Sequence, residues 1–163
     1  MVRHRTANLN LQSGRYTPFE ENDFHIPSPD AWRMQSLSNK QGSSDQTLDI
    51  ISQKTLLDNL GYNGYENVSD LLQAFSDSSY AVYDALLKSG VAKEQARLFL
   101  PGFALYYEGV WKIDAHNLMN FLKLRLDSHA QYEIRMYAQA IYEYFSYFMP
   151  WTKEAFELYL IGD

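Results

Sequence analysis

The first residues of the sequence have types and spacing suited to anion binding. They form the row Arg3-His4-Arg5, followed after seven residues by the row Ser13-Gly14-Arg15-Tyr16. The arginine fork matches phosphate and carboxylate oxygens, and a serine hydroxyl beside a glycine backbone adds donors where a ligand can approach closely. Spacing alone leaves a second interpretation open, in which these are the solvated charges of a basic N-terminus.

Two further arginines lie in segments that are otherwise apolar. Arg97 stands in KEQARLFLP, near the side of a short helix that we expect to be buried. It could bind an anionic ligand or form a surface ion pair with Glu94. Arg125 ends an apolar helical stripe that contains Leu118, Phe121 and Leu122,. Burial of the Arg125 charge would require an anionic partner.

Pairs of polar residues four apart share a helix face in the same region. His116 and Asn120 can therefore meet one ligand,. His129 and Glu133 repeat this spacing, but a third metal ligand is not evident. We therefore predict no metal site and interpret His129 and Glu133 as ordinary polar residues.

Helical periodicity dominates the middle and the C-terminal half of the chain. The pattern predicts helices over 68–89, 92–100, 114–126 and 132–148, and a last short helix from Pro150 to near Gly162,. Gly90 ends the first of these helices, and Asp114 is the predicted N-cap of the third. A weaker helical pattern covers 47–60.

Strand signals are fewer. Aromatic and β-branched residues predict a strand over 103–113, bent near Gly109,, and residues 19–26 favour a short extended segment. Residues 1–16 have no regular pattern, and 39–46 has the composition of an exposed loop. The sequence predicts a mixed α+β fold rich in helices, as a single domain over 1–163 with a loop or insertion over 37–65.

Composition excludes several classes of protein. The net charge of −6 argues against a nucleic-acid-binding surface,. No apolar run approaches the ~20 residues of a membrane span, and no apolar stretch follows the basic N-terminus as it would in a secretory signal, so we expect a cytoplasmic protein. The sequence has no cysteine, which removes disulfides, thiolate zinc sites and the strongest ordinary nucleophile.

Together these segments resemble the flavin-dependent thymidylate synthases. The signature of that family is an Arg-His-Arg, a short gap and then Ser-x-Arg-Tyr, which stands here as Arg3-His4-Arg5 and Ser13-Gly14-Arg15-Tyr16. The stretches QARLFLP, LMNFLKLRLDSHAQYEIR and PWTKEAF are similar to the family in the same order. The resemblance runs from Met1 to Asp163, apart from 37–65.

The resemblance implies a methylation reaction. Members of this family convert dUMP to dTMP, taking the carbon from methylenetetrahydrofolate and the hydride from FAD that NADPH has reduced. The cofactor then carries most of the chemistry. The absence of cysteine agrees, because the unrelated folate-dependent thymidylate synthases need a cysteine nucleophile. The family forms homotetramers whose active sites are built from several subunits.

The resemblance also implies roles for individual residues. The FAD-binding set comprises Arg3, His4, Arg5, Asp114, His116 and Asn120. The dUMP-binding set comprises Arg3, Gln12, Ser13, Gly14, Arg15, Arg97 and Arg125. In that second set, residues 12–15 hold the phosphate, and Arg97 reaches dUMP bound mainly by another subunit. Arg125 is the implied catalytic residue, because its charge at the uracil edge stabilises the pyrimidine as C5 becomes nucleophilic.

The sequence departs from the family pattern at three positions and in extent. Leu11 replaces a glutamate, and Asp114 and His116 replace an asparagine and an arginine. An aspartate near flavin phosphates repels them unless it caps a helix, so we expect weak flavin binding. Family members also carry a segment ahead of Arg-His-Arg. We expect this chain to be the C-terminal part of the domain, with the preceding part encoded upstream or supplied as a separate piece.

Two other functions stay open at this level. One is a non-catalytic nucleotide- or flavin-binding remnant that assembles with other chains. The other is a related pyrimidine-nucleotide methylase acting on UMP, which contacts at the ribose 2′ position would decide.

Overall fold

The computed structural model describes residues 6–39 and 42–161 of the chain. Its helices are α1 (Ile50–Asn59), α2 (Val68–Lys88), α3 (Lys93–Ala96), α4 (Ala115–Arg125), α5 (Tyr132–Phe148) and α6 (Pro150–Phe156). Short 3-10 turns cover Glu21–Asp23, Pro29–Ala31 and Arg97–Phe99, and a π-helical turn over Glu157–Ile161 continues α6. In the described ranges, no helix has the length and apolarity needed to cross a membrane.

The strands form two small sheets of two strands each. One sheet pairs β1 (Ala7–Leu11) with β4 (Gly109–Ile113), and the other pairs β2 (Arg33–Gln35) with β3 (Ser43–Thr47). With six helices and four short strands in the described ranges, the predicted helix-rich α+β fold is confirmed.

Polar side chains fix where three of the helices begin. Asp49, Asn67 and Asp114 each accept a hydrogen bond from the backbone N–H three residues further on, at the starts of α1, α2 and α4,. The N-cap predicted at Asp114 is therefore confirmed. Gly90 has a φ of +83°, a backbone conformation that favours glycine, and it ends α2 as predicted,.

The chain divides into two compact units, neither of which is a continuous stretch of sequence. The α1–α3 unit comprises Asn10–Met34 and Gln46–Val110, and the α4–α6 unit comprises Met1–Leu9, Gln35–Asp45 and Trp111–Asp163. Each unit has its own core cluster.

The core of the α1–α3 unit forms around the long helix α2. Phe19, Tyr83, Ala96 and Leu100 are buried together there, and the Tyr83 hydroxyl accepts a hydrogen bond from the Phe19 backbone N–H at 3.1 Å. The buried Gln53 amide donates to the carbonyls of Pro29 and Leu48 at 2.6 and 2.7 Å. These polar side chains of the core thus form hydrogen bonds with backbone groups. These hydrogen bonds hold the loop before β2 against the helices.

The core of the α4–α6 unit is aromatic. Its buried residues are Phe121, Leu122, Ala138, Phe145 and Phe156, and the Phe145 and Phe156 rings meet edge to face with centroids 5.9 Å apart,. A polar cluster closes the end of this unit: Glu157 accepts from the Tyr142 hydroxyl and forms an ion pair with Lys153 at 2.6 Å. These two donors, Lys153 first, lower the pKa of the Glu157 carboxyl.

Besides β2 (Arg33–Gln35), which lies in a segment that was given no prediction, four segments differ from the sequence prediction. Residues 7–11 form a strand where no regular pattern was evident, and residues 43–47 form a strand where composition indicated a loop. Both strands are short, and β3 has only polar side chains, SSDQT. Backbone hydrogen bonds hold β3 without an apolar face, so the prediction of a loop from composition was wrong there. β1, in contrast, has the sequence ANLNL, whose alternation of apolar and polar residues is a strand signal that the sequence analysis missed,.

The other two differences concern predicted extended segments. Of the strand predicted over 103–113, only 109–113 forms one, because a turn closed by the Ala104 N–H on the Pro101 carbonyl at 2.8 Å interrupts it. Within the predicted extended segment 19–26, residues 21–23 form a 3-10 turn. That turn is closed by Asp23, whose carboxylate accepts from the Glu20 backbone N–H at 2.7 Å.

Candidate functional site

The described part of the signature begins with a tight turn after β1. The Gln12 backbone N–H donates to the Glu108 carbonyl at 2.8 Å, which anchors the start of the turn beside β4. The Ser13 carbonyl accepts from the Tyr16 and Thr17 N–H groups at 2.9 and 3.1 Å, and the Ser13 hydroxyl accepts a weaker bond from the Arg15 N–H at 3.4 Å. Arg3, His4 and Arg5, the first row of the signature, lie outside the described residues.

Gly14 is at the turn because the core leaves no room for a side chain. It is buried, and a Cβ placed on it would lie 2.4 Å from Cε2 of Phe19. Phe19 is itself 3% exposed and packs in the cluster of Tyr83, Ala96 and Leu100. The turn is therefore seated directly on the core of the α1–α3 unit.

Arg15 projects from this turn with its charge available. The residue is exposed, and its guanidinium carbon lies 5.8 Å from the centroid of the Tyr16 ring,. Among the described residues, no carboxylate forms an ion pair with it. Arg15 can therefore bind an anionic group without first breaking an ion pair.

Arg97 follows α3, and α3 is tied to the same turn. Lys93 at the start of α3 donates through Nζ to the Tyr16 carbonyl at 2.8 Å, and Ala96 and Leu100 pack in the cluster of Phe19. Arg97 is exposed, so the expectation that it lies near the buried side of the short helix is wrong. Within the described ranges, the alternative ion pair with Glu94 is not formed. Residues 12–15 and Arg97 are thus both held in place by the hydrophobic core of the α1–α3 unit.

A cavity of about 500 Å³ lies beside Gln12, but its charge is unsuited to a phosphate. Three carboxylates line it, from Glu20, Asp23 and Glu108. Carboxylates repel an anion brought close to them. An anion held by the Arg15 turn is therefore expected on the turn itself and not in this cavity.

Arg125 lies in the α4–α6 unit, at the last position of α4. It is half-buried, whereas Phe121 and Leu122 on the same stripe are fully buried, so the predicted stripe is confirmed. In the described ranges no carboxylate forms an ion pair with Arg125. A cavity of about 350 Å³ opens beside it, lined by Lys123, Leu124, Arg125, Asp127, His129 and Ala130.

Several hydrogen bonds hold the turn that follows Arg125. Asp127 Oδ1 accepts from the His129 backbone N–H at 2.7 Å and lies 2.8 Å from His129 Nδ1. Arg135 donates through Nη1 to the Ser128 carbonyl at 3.1 Å, and Asn39 donates through Nδ2 to the His129 carbonyl at 3.1 Å. The two hydrogen bonds from His129, backbone first, lower the pKa of the Asp127 carboxyl.

The other predicted residues of this unit lie at the start of α4. The Asp114 carboxylate accepts from the backbone N–H and the side-chain amide of Asn117, at 3.0 and 2.6 Å, and these bonds lower its pKa. His116 and Asn120 are exposed one turn apart, as their spacing predicted. No group of three or more His, Cys, Asp or Glu residues suited to a metal ion occurs in the described ranges.

Three residues of this architecture were not identified from sequence. Lys93 and Asn39 donate hydrogen bonds to backbone carbonyls 77 and 90 residues away in the sequence. No local sequence pattern could therefore have indicated them. Asp127 carries a detectable signal, because the spacing Asp-x-His allows a carboxylate to bond both the backbone and the ring of the histidine.

Comparison with known proteins places these residues in a family. The family model for "Thymidylate synthase complementing protein" matches residues 1–151. The flavin-dependent thymidylate synthase of Ehrlichia ruminantium (strain Gardel) is 40% identical over 160 residues, which are 98% of this chain and 49% of that protein. The flavin-dependent thymidylate synthase of Thermus thermophilus is 42% identical over 159 residues, 98% of this chain and 52% of that protein.

Solved structures give the same relationship. The chain is similar to the UMP/dUMP methylase PolB from Streptomyces cacaoi bound with 5-Br UMP, with a TM-score of 0.70 and 28% identity over 98% of this chain and 67% of that one. The same enzyme bound with 5-Br dUMP gives a TM-score of 0.68, with 98% of this chain and 64% of that one covered. The chain spans about half the length of the curated relatives it matches. It belongs to the thymidylate synthase complementing protein family, the family of the flavin-dependent thymidylate synthases.

Proposed function

We propose that this protein acts in the methylation of dUMP at C5 to give dTMP, in the cytoplasm. Methylenetetrahydrofolate is the carbon donor, and FAD reduced by NADPH is the hydride carrier. The observation that carries the proposal is the family match over residues 1–151, which includes both rows of the signature.

The turn after β1 is suited to the phosphate of the nucleotide. Its exposed Arg15 lacks a carboxylate partner among the described residues, and buried Gly14 keeps the backbone close to the core. Gln12 and Ser13 add polar groups beside the arginine fork, which binds phosphate oxygens in a bidentate manner. In this proposal Arg3, which lies outside the described residues, contacts the dUMP side as well.

Arg125 is suited to the pyrimidine. Arg125 is half-buried and lines a cavity of about 350 Å³, large enough for part of a planar ring. When C5 of uracil becomes nucleophilic, negative charge spreads to the carbonyl oxygens. A fixed positive charge at that edge stabilises this state without reorganisation.

The described residues are better suited to the ring or the ribose of a flavin than to its phosphates. His116 and Asn120 are exposed and one turn apart, so they can hold the polar edge of a ring or a ribose. Asp114 fits poorly beside a pyrophosphate, because its carboxylate is anionic and already committed to Asn117. In this proposal Arg3 contacts the flavin phosphates, and His4 and Arg5 contact the flavin. Bound FAD would supply the hydride that completes the methyl group.

Assembly is part of the proposal. Arg97 is exposed at the end of α3, where it could reach a nucleotide held mainly by another copy. We therefore propose a homotetramer with active sites shared between copies.

A second candidate substrate is UMP. PolB, to which the chain is similar, is named a UMP/dUMP methylase and has been crystallised with 5-Br UMP and with 5-Br dUMP. The two substrates differ only at the ribose 2′ position, so one uracil site would serve both.

Tritium release from C5 tests the proposal, because the C5 hydrogen leaves when the methyl group is attached. The protein is incubated with 5-tritiated dUMP, FAD, NADPH and methylenetetrahydrofolate. We expect release that stops when any one of the three co-reactants is omitted. A parallel reaction with 5-tritiated UMP decides between the substrates. Binding of dUMP without release under complete conditions would contradict the enzymatic proposal and favour a non-catalytic nucleotide-binding protein.

A further inference from the structure

Lys93, at the start of α3, carries a charge that is not used in an ordinary surface ion pair. The residue is half-buried, whereas lysine side chains are seldom buried unless an acidic group pairs with them. Among the described residues, no carboxylate forms an ion pair with Lys93. Its Nζ donates instead to the Tyr16 backbone carbonyl at 2.8 Å. The ammonium group is thus committed to a turn that lies far away in the sequence.

This hydrogen bond fixes the C-terminal side of the signature turn. In the middle of the turn, buried Gly14 lies directly against the ring of Phe19. Arg15 stands between Gly14 and the Tyr16 carbonyl that accepts from Lys93. The backbone that carries the exposed Arg15 side chain is therefore held on both sides, by packing before it and by a hydrogen bond after it.

The short helix that carries Lys93 has a fixed position in the core. Ala96 is fully buried, in the same cluster as Phe19. Arg97 follows Lys93 by four residues in helical backbone, a spacing at which two residues share one face,. The hydrogen bond from Lys93 therefore links the turn of Arg15 to the segment of Arg97, and the base of that link is buried.

An exposed turn binds an anion tightly only if its backbone is already ordered before the anion arrives. The conformational freedom that a mobile turn loses on binding is subtracted from the affinity. Hydrogen bonds from residues outside the site keep the contacting residues in the productive geometry. The Lys93 ammonium also brings a positive charge next to the turn, and it can only donate. Geometry and charge thus both favour an anion at Arg15.

We propose that Lys93 is a positioning residue for the phosphate of the nucleotide. It holds the Tyr16 carbonyl, and through it the Arg15 turn, in the conformation that binds the phosphate, without touching the nucleotide itself. The inference rests on the proposed function, because it places the phosphate of dUMP on this turn. It makes one distinctive claim: Lys93 matters for a ligand that carries the phosphate and does not matter for the same nucleoside without it.

A comparison of dUMP with deoxyuridine, which has the same base and sugar without the phosphate, tests this claim. The dissociation constants of both ligands are measured by isothermal titration calorimetry for the full chain and its variants. We expect the wild-type chain to bind dUMP at least about tenfold more tightly than deoxyuridine. Lys93→Met keeps an unbranched chain but removes the donor and the charge. It should weaken dUMP binding at least about fivefold and leave deoxyuridine binding unchanged.

Two further variants separate a positioning role from a loss of folding. Lys93→Arg should keep the wild-type affinity for dUMP, because a guanidinium can donate to the same carbonyl. Lys54→Met is the matched control, since Lys54 lies in the same unit and its Nζ also donates to a backbone carbonyl, that of Asn63 at 2.9 Å. Lys54→Met should keep the wild-type dissociation constants for both ligands.

The outcomes distinguish this inference from the proposed function. The inference is overturned if Lys93→Met binds dUMP as tightly as wild type, if it weakens both ligands equally, or if Lys93→Arg fails to keep the affinity. A wild-type chain that does not prefer dUMP over deoxyuridine, or that binds neither, also overturns it. Tritium release decides the proposed function independently: dUMP binding that depends on Lys93, without any release, would contradict the enzymatic proposal and leave the role of Lys93 standing.

Discussion

At the scale of single residues, Gly14 fixes the signature turn against the core. We expect Gly14→Ala to lower the free energy of unfolding by about 1–3 kcal/mol, because the new Cβ would lie 2.4 Å from a ring carbon of the buried Phe19,. Chemical denaturation measures the change. Gly64→Ala is the matched control, since a Cβ there meets nothing within 4 Å, and it should change stability by less than about 0.5 kcal/mol. Equal effects of the two substitutions would contradict the packing described for the turn.

Two buried serines on α2 have opposite hydrogen-bonding states. Ser69 Oγ donates to the Pro27 carbonyl at 2.6 Å and accepts from Trp32 Nε1 at 2.8 Å. Ser76 Oγ is buried and has no hydrogen-bond partner among the described residues. We expect Ser69→Ala to destabilise the protein by about 1–3 kcal/mol, and Ser76→Ala to leave stability unchanged or raise it by up to about 1 kcal/mol. Thermal melts of both variants check this, and a larger loss for Ser76→Ala would refute it.

Arg125 is the residue on which the proposed chemistry most depends. We expect Arg125→Lys to lower the turnover of the tritium-release reaction at least about tenfold, because an ammonium does not reproduce the planar, fixed fork at the pyrimidine edge. Lys112→Arg, an exposed position of β4, is the charge-conserving control and should keep full turnover. Full turnover in Arg125→Lys would remove Arg125 from the catalytic role.

At the scale of secondary-structure elements, the start of α4 should be sensitive to pH. The pKa of Asp114 is lowered from its ordinary value of 3.8, first by the backbone hydrogen bond from Asn117 and then by its side chain. A lowered pKa in the folded state means that the cap stabilises the protein above the unfolded pKa. This stabilisation is lost as pH falls through the folded value.

We therefore expect Asp114→Ala to melt at a lower temperature than wild type at neutral pH, and the difference to shrink as the pH falls below about 3.8. Asp114→Asn is the control, since its amide oxygen can still accept from the Asn117 N–H but does not titrate. It should melt close to wild type at neutral pH. A difference between wild type and Asp114→Ala that stays constant down to low pH would show that the carboxylate charge contributes nothing to this cap.

The elements also show how far the sequence could predict this fold. The helices α2, α4 and α5 were predictable within one residue at most ends, because periodicity and the caps Asp114 and Gly90 agree there. The strand β3 was not, since its all-polar sequence carries no period-2 signal,. Among the proposed site residues, Arg15 and Arg125 were singled out by type and spacing. Lys93 and Asn39, which donate to the carbonyls of Tyr16 and His129, were not, because those contacts exist only after folding.

At the scale of the whole molecule, the proposed assembly is the feature most open to measurement. The helices α5 and α6 and the turn after them carry large aromatic residues that are mostly exposed: Tyr144, Tyr147, Phe148, Trp151 and Tyr159. Phe148 is 71% exposed and Trp151 88%. Single exposed apolar residues are common, but a run of them along consecutive elements is typical of an interaction surface. A second copy of this chain is the partner that the proposed homotetramer requires.

We expect the wild-type chain to sediment as an assembly, and the double variant Phe148→Ser with Trp151→Ser to sediment as a smaller species. Both side chains are exposed, so helical content measured by circular dichroism should stay the same and show that folding is intact. Phe103→Ser is the matched control, because Phe103 is fully exposed and belongs to the α1–α3 unit, not to this aromatic run. If the wild-type chain sediments as a monomer, or if the double variant keeps the wild-type size, these aromatic residues do not hold copies together. The shared active site would then have to be built through another surface.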